Sequence, residues 1–265
     1  MKTELLNCLS PDYPWKDHIQ CYASIGSTND HLKTLAQQGA PHGTAVLAGH
    51  QSNGRGRRGR SFHSPQGMGI YLSILLRPGC SPARLMHLTC AAAVAMCDAV
   101  EAAVGLRPSV KWTNDLVAGK RKLGGILTEL SLTPQGLTDY AIIGIGINCR
   151  QQESDFPEEI RGFAGSLDMV TGRETNPVAL AAAMLESLYR MDRILLSDRD
   201  QILDRYRADC ITLGQEISLV RGDAVRHGKA LSVDDEGALV VAFSDGTTEA
   251  VNSGEVSVRG MYGYV

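Results

Sequence analysis

Gly54-Arg55-Gly56-Arg57-Arg58-Gly59-Arg60, followed by Ser61-Phe62-His63-Ser64-Pro65-Gln66-Gly67, is the stretch on which the fold assignment turns. Gly54, Gly56 and Gly59 satisfy G-x-G-x-x-G, the pattern of a dinucleotide-binding turn. Such a turn leaves a strand and opens directly into a helix. Residues 43–48 read as a strand, but residues 61–67 carry Pro and Gly and no helical apolar period. The dinucleotide fold therefore fails on context. What remains is a loop of four arginines interleaved with three glycines. Its forked donors suit phosphate or carboxylate oxygens, and its glycines let the backbone approach a ligand. With no apolar anchor, the segment reads as a mobile loop.

Outward from the loop, Ser27 caps a helix that carries Leu32 and Leu35 and stops at Gly39, with Pro41 beyond. Residues 69–76 form an apolar strand ended by Pro78-Gly79, and Ser81-Pro82 opens a long alanine-rich helix running to Gly105. Strands are predicted over 109–112, 125–132 and 140–148, then helices from Asn176-Pro177 to Leu196 and over 198–210. Hairpin signals followed by helices predict an α+β fold, a mixed or antiparallel sheet flanked by helices. From Leu213 the texture changes to strands at 216–220, 225–233, 238–243, 247–251 and 255–259, separated by short polar turns. This predicts a main domain over 1–212 and a small SH3-like β-barrel over 213–265. Pro11, Pro14 and Trp15 make the N-terminal twenty residues an extended segment packed on the main domain.

The 265 residues carry 26 Lys plus Arg against 29 Asp plus Glu, a net charge of −3. A general nucleic-acid binder is usually basic and interleaves aromatic residues, so the arginine cluster is local and an RGG-like role is disfavoured. A hydrophobic content of 43% argues against disorder. No apolar run reads as a membrane span, and the N-terminus, with Glu4, does not read as a signal peptide. Seven dispersed cysteines without a C-x-x-C pair, and scattered histidines, exclude a zinc signature and a disulfide framework. A reducing cytoplasm is the expected compartment.

Three further segments can carry chemistry. Lys111-Trp112-Thr113-Asn114-Asp115 sets an amide beside a carboxylate at a strand end, although Asn-Asp is also a common turn pair. Lys120-Arg121-Lys122-Leu123-Gly124-Gly125-Ile126-Leu127 puts cations beside two glycines, which is equally a basic hairpin turn. Gly144-Ile145-Gly146-Ile147-Asn148 ends an apolar strand whose glycines permit close approach.

Together with Ser27-Thr28-Asn29, Gln51 and the arginine loop, these segments resemble the biotin protein ligases in order and spacing, over residues 22–260. The resemblance implies the class II synthetase-like biotin/lipoate ligase fold for the main domain, with ATP, Mg²⁺ and biotin as ligands. It implies that Ser27, Thr28, Asn29 and Gln51 bind biotin, and that Gly54, Arg55 and Arg57 close over biotin and its activated carboxylate. Arg60 is expected at the nucleotide phosphates, and Lys122 at the biotin carboxylate and α-phosphate. Gly125 is expected with its backbone against the ligand. Asn114, Asp115 and Asn148 are expected to border the nucleotide and metal, with no metal site by direct signature. Lys122, Arg57 and Asp115 are the expected catalytic residues.

Two departures from the family pattern stand out. Thr113 replaces the usual proline, which loosens the turn but removes no ligand group. Phe62 takes the place of the tryptophan on which adenine stacks. The implied reaction forms biotinyl-5'-AMP and transfers biotin to a lysine of a biotin carboxyl carrier protein. Lipoate ligation is the neighbouring alternative. Twenty-six residues precede Ser27, too few for the sixty-residue helix-turn-helix that some members carry, so no repressor function and no DNA or membrane partner is expected. A homodimer is left open.

Overall fold

The structure, a computed structural model, describes residues 2–221, 224–252 and 255–258. In chain order its first elements are α1 (Lys2–Cys8), β1 (Ile19–Tyr22), α2 (Thr28–Gln37), β2 (Ala45–Ala48), β3 (Gly69–Leu76) and α3 (Leu88–Val104). Next come β4 (Ser109–Lys111), β5 (Asp115–Ala118), β6 (Arg121–Leu132), β7 (Thr138–Asn148), α4 (Glu158–Arg161) and α5 (Leu167–Thr171). Two helices follow, α6 (Pro177–Ile194) and α7 (Arg199–Asp209), then strands β8 (Glu216–Arg221), β9 (Ala224–Val233), β10 (Leu239–Phe243), β11 (Thr248–Val251) and β12 (Glu255–Val258).

Strands β1 to β7 form one sheet in the order β1-β2-β3-β7-β6-β5-β4. The β1–β2 pair is parallel and the remaining pairs are antiparallel, so the sheet is mixed. Its two faces follow from alternation along the strands. In β7, Ala141, Ile143, Ile145 and Ile147 enter the large core with α3, α6 and α7, while Tyr140 and Ile142 meet Leu32 and Ala36 of α2 on the other face. Further along that α2 face the apolar series gives way to Gly144, Gly146 and Asn148. The site forms there, where the sheet presents bare backbone instead of side chains.

The helix expected from Ser81 to Gly105 is two pieces. Pro82–Leu85 is a 3-10 turn, and α3 starts only after the buried His87, whose Nε2 lies 3.0 Å from the Leu195 carbonyl oxygen. Gly105 ends α3 in the left-handed conformation at φ 72°, the favoured glycine C-cap. The membrane-span reading also needs correction. Pro82–Val104 is long and apolar enough to cross a membrane, but most of it is buried in the fold. Residues 2–8 are helical rather than extended, because Leu5 seats α1 against α6. The segment after α1 is anchored by Trp15, which packs edge-on to Tyr189 with ring centres 5.1 Å apart.

Strands β8 to β12 form a second, antiparallel sheet in the order β11-β10-β9-β8-β12. All five expected strands are present, and among the described residues no β11–β12 pair closes the barrel. The expected strand end at Arg259 lies outside the described residues. The β9–β10 turn docks on the main domain. Trp112 Nε1 donates to the Gly237 carbonyl at 3.0 Å, and Arg207 Nε donates to that of Val233 at 2.7 Å.

Candidate active site

Register explains the floor of the site. Gly146 of β7 pairs with Gly125 of β6 and with Tyr71 of β3, while Gly144 pairs with Leu127 and Ser73. These positions share one face of the sheet, so three glycines open a shallow trough. At Gly144 and Gly146 the lack of a side chain is required. A Cβ on Gly144 would stand 2.0 Å from Asn29 Oδ1, and one on Gly146 would stand 2.4 Å from the Phe62 ring. Over Gly125 the nearest side chains are those of Asp115 and Lys122, each 3.7 Å from where a Cβ would be.

The start of α2 forms one end wall. Ser27 caps the helix, its Oγ accepting from the Asp30 amide at 3.4 Å, which sets Thr28 and Asn29 facing the trough. Gln51 Oε1 accepts from both the amide and the hydroxyl of Thr28, at 2.9 and 3.0 Å, and Gln51 Nε2 donates to Ser64 Oγ at 3.1 Å. Ser73 Oγ lies 2.7 Å from Thr28 Oγ1 and 2.5 Å from Asn29 Oδ1. The result is a buried, pre-oriented row of amide and hydroxyl groups.

The arginine loop forms the roof. Its base is a short ladder, with an Arg55–Ser61 bridge and the Phe62 amide donating to the Gly54 carbonyl at 2.9 Å. Gly54 has no room for a Cβ, which would meet the Phe62 carbonyl at 2.4 Å. The tip turns through a 3-10 segment, Arg57–Gly59, with Arg58 in the left-handed region at φ 58°. The loop forms a tight hairpin, closed by the Gly56 amide on the Arg60 carbonyl at 2.7 Å. Arg57 reaches across to Asn114 Oδ1 at 2.8 Å, and burial pulls its guanidinium below the usual value, with Asp115 and Tyr206 opposing.

The far wall comes from the β4–β5 and β5–β6 turns. Asn114 Nδ2 donates to the Ile126 carbonyl at 3.0 Å, and Lys122 Nζ pairs with Asp115 Oδ1 at 2.6 Å. The Trp112–Thr113 peptide is cis, and the Tyr206 hydroxyl donates to the Thr113 carbonyl at 3.0 Å. Asn148 Nδ2 donates to the Gly165 carbonyl at 2.9 Å, and Gln151 donates to Asn148 Oδ1 at 3.1 Å.

Every expected site residue except Gly54 lines one cleft of about 260 Å³. Gly54 lies just behind it as the base of the roof. The cleft is lined by the cations Arg55, Arg57, Arg58, Arg60, Lys111 and Lys122, and among the described lining residues Asp115 is the sole carboxylate. Such a ratio makes an anion site. Sequence reasoning missed the wall of Phe156, Ile160, Phe163 and Ala164, whose backbone clamps Lys122 through the Phe163 carbonyl at 2.7 Å. Apolar residues inside an acidic, short-helix segment were the available signal. It also missed Glu129, which accepts from Asn29 Nδ2 at 2.8 Å and from Lys33 Nζ at 2.7 Å.

Comparison with known proteins matches two separate parts of the chain. Residues 22–148 match the biotin/lipoate A/B protein ligase family, and residues 212–259 match the biotin protein ligase C terminal domain. The bifunctional ligase/repressor BirA of Bacillus subtilis is 33% identical over 230 residues, covering 86% of this chain and 70% of the relative. The biotin–[acetyl-CoA-carboxylase] ligase of Mycobacterium tuberculosis is 30% identical over 248 residues, covering 91% of this chain and 89% of the relative. The chain belongs to the biotin protein ligase family. Among solved structures, the biotin protein ligase from Aquifex aeolicus in complex with biotin and ATP superposes with a TM-score of 0.76 at 28% identity. That match covers 91% of this chain and 98% of the other. The family fold therefore runs through both domains of this ligase, and the trough, roof and basic walls all lie within the matched residues.

Proposed function

We propose that this chain activates biotin with ATP and transfers it to a lysine of a biotin carboxyl carrier protein. The observation that carries the reading is the cleft itself, a glycine-floored trough with an amide–hydroxyl row at one end and a cluster of cations at the other. Biotin's ureido group, one carbonyl between two N–H groups, suits the Ser27, Thr28 and Gln51 end. Its fused rings suit the apolar part of the floor at Leu127. The carboxylate would then lie toward Lys122 and Arg57.

The chemistry follows from charge. A carboxylate oxygen attacks the α-phosphorus of ATP, the bond to the β-phosphate oxygen breaks, and pyrophosphate leaves with the electron pair. Both reactants are anionic. Lys122, Arg57 and Arg60 offset the repulsion and stabilise charge that develops in the transition state. Phe62, together with Phe156, Ile160 and Phe163, offers the adenine ring an apolar surface, and Asn114 and Asn148 border the ribose and phosphates. In the second step a lysine amine attacks the acyl carbon, the mixed anhydride opens, and AMP leaves. The amine loses a proton, which Asp115 would accept.

Among the described residues no group of three or more His, Cys, Asp or Glu could hold a metal. A single carboxylate fits an ion held mainly by nucleotide phosphates and water, so Mg²⁺ would take Asp115 as its protein ligand. When bound it supplies charge neutralisation at the phosphates. The seven cysteines are free thiols, five of them buried, which supports a reducing cytoplasm as the working compartment.

Biotin-dependent exchange of labelled pyrophosphate into ATP tests the reading. Exchange with biotin is the predicted result. Exchange with lipoate alone would make the chain a lipoate ligase instead.

A further inference from the structure

Arg55 differs from the other arginines of the roof in what it touches. Its Nη1 lies 2.6 Å from Asp30 Oδ1 and 3.4 Å from Glu129 Oε1. It sits at the base of the hairpin, paired with Ser61, whereas Arg57 lies at the tip. Glu129 is on β6, on the trough face, and its two oxygens have different duties. Oε2 accepts from Asn29, which continues through Ser73 to Thr28 and Gln51. Oε1 is shared between Lys33 and Arg55.

We propose that Asp30 and Glu129 anchor the arginine loop through Arg55, making Arg55 the hinge of the roof and Glu129 the link between the biotin end of the trough and that hinge. This rests on the functional reading above for what the roof covers, but the anchor itself is a statement about the loop. Two carboxylates on one guanidinium fix the base, and the tip is held separately by Arg57 on Asn114. Burial raises the Glu129 carboxyl, but the bonds from Lys33 and Asn29 and the charge of Arg55 outweigh it, so the group stays below its ordinary value and anionic. The Asp30–Arg55 contact is partly exposed, with 46% and 39% of the side chains accessible, so salt screens it. Ordering of the Asn29 row by a ligand would tighten Glu129, and through it the hinge. Asp30, Glu129 and Lys33 are thus positioning residues for retention of a bound intermediate, not groups that touch it.

The test uses Arg55→Ala, Asp30→Asn and Glu129→Gln in the full chain. Glu129→Gln keeps an oxygen for Asn29 but removes the charge on Arg55, so it separates the two duties and guards against a folding defect. Two readouts are taken. Trypsin cleavage after Arg57 and Arg58 in the ligand-free protein should rise about fivefold in each variant. Escape of biotinyl-adenylate into solution should rise by a similar factor of about five, and in Asp30→Asn and Glu129→Gln its rate of formation should change much less. Asp30→Asn combined with Arg55→Ala should be no worse than Arg55→Ala alone, since both break one contact. In the wild type both readouts should rise with salt, and in Arg55→Ala they should not. Unchanged trypsin cleavage in all three variants would overturn the anchor. If no adenylate forms in the wild type, the functional reading fails while the cleavage result still decides the anchor.

Discussion

Lys122 Nζ stands 2.6 Å from Asp115 Oδ1 above the bare backbone of Gly125, joining the two strands of the β5–β6 hairpin across the cleft floor. The pair balances one charge in a cleft otherwise dominated by cations. An incoming phosphate would compete with Asp115 for the ammonium. Replacing Lys122 with Ala should therefore lower the rate of adenylate formation about 100-fold or more while the fold stays intact. Rapid-quench measurement of biotinyl-adenylate checks this, and a rate within a factor of about three of wild type would remove Lys122 from the chemistry.

Arg57 ties the tip of the roof to Asn114 at 2.8 Å. Arg57→Ala breaks that tie and removes a cation from the cleft. Adenylate formation should slow about tenfold or more, and the adenylate that forms should escape into solution. Single-turnover kinetics with a filter assay for free adenylate separates the two effects. Unchanged kinetics would refute the role given to the tip.

Gly144→Ala tests the trough floor. The added methyl would meet the Asn29 amide group and push it away from Ser73 and Glu129. Overpacking of this kind costs about 1–3 kcal/mol. Biotin affinity should fall with the displaced row, measured by calorimetric titration, alongside the drop in melting temperature. An unchanged biotin affinity would mean that the Thr28–Gln51 row does not depend on Asn29.

The buried His87 makes stability depend on pH. Burial pulls its imidazole below the ordinary value, the bond to the Leu195 carbonyl partly opposing. A depressed folded-state value means the unfolded chain binds the proton more readily. The contribution is therefore fully present above the usual imidazole range near 6.5 and is lost as pH falls through the folded value. The loss of stability on acidification below about 6.5 should be smaller in His87→Gln, read from urea melts at several pH values. Parallel pH profiles for both proteins would contradict the assignment.

Much of the site was legible because glycines and charges cannot be placed freely. Gly144, Gly146 and Gly125 sit where neighbours leave no room for a Cβ or where bare backbone faces the cleft. The two basic segments and the Asn114-Asp115 pair fall at strand ends, where the sheet can present them. The strand Gly69–Leu76 was readable to the residue because it is buried on both faces and carries a continuous apolar run. Strands β1 and β5 were not readable. Each has four residues, and β5 opens on Asp115, so neither carries a period long enough to register. The break at His87 was also invisible, since it depends on a carbonyl more than a hundred residues away. The anchor of Arg55 was hidden for the same reason. Glu129 reads as one polar residue in a strand until α2 and the loop are folded against it.

Incubation of the protein with MgATP, biotin and a biotin carboxyl carrier domain, followed by intact mass and peptide mapping, tests the central claim most directly. The predicted result is a gain of one biotinyl group on one lysine, dependent on ATP and abolished by Lys122→Ala. An unmodified carrier, with no biotin-dependent release of pyrophosphate, would contradict it.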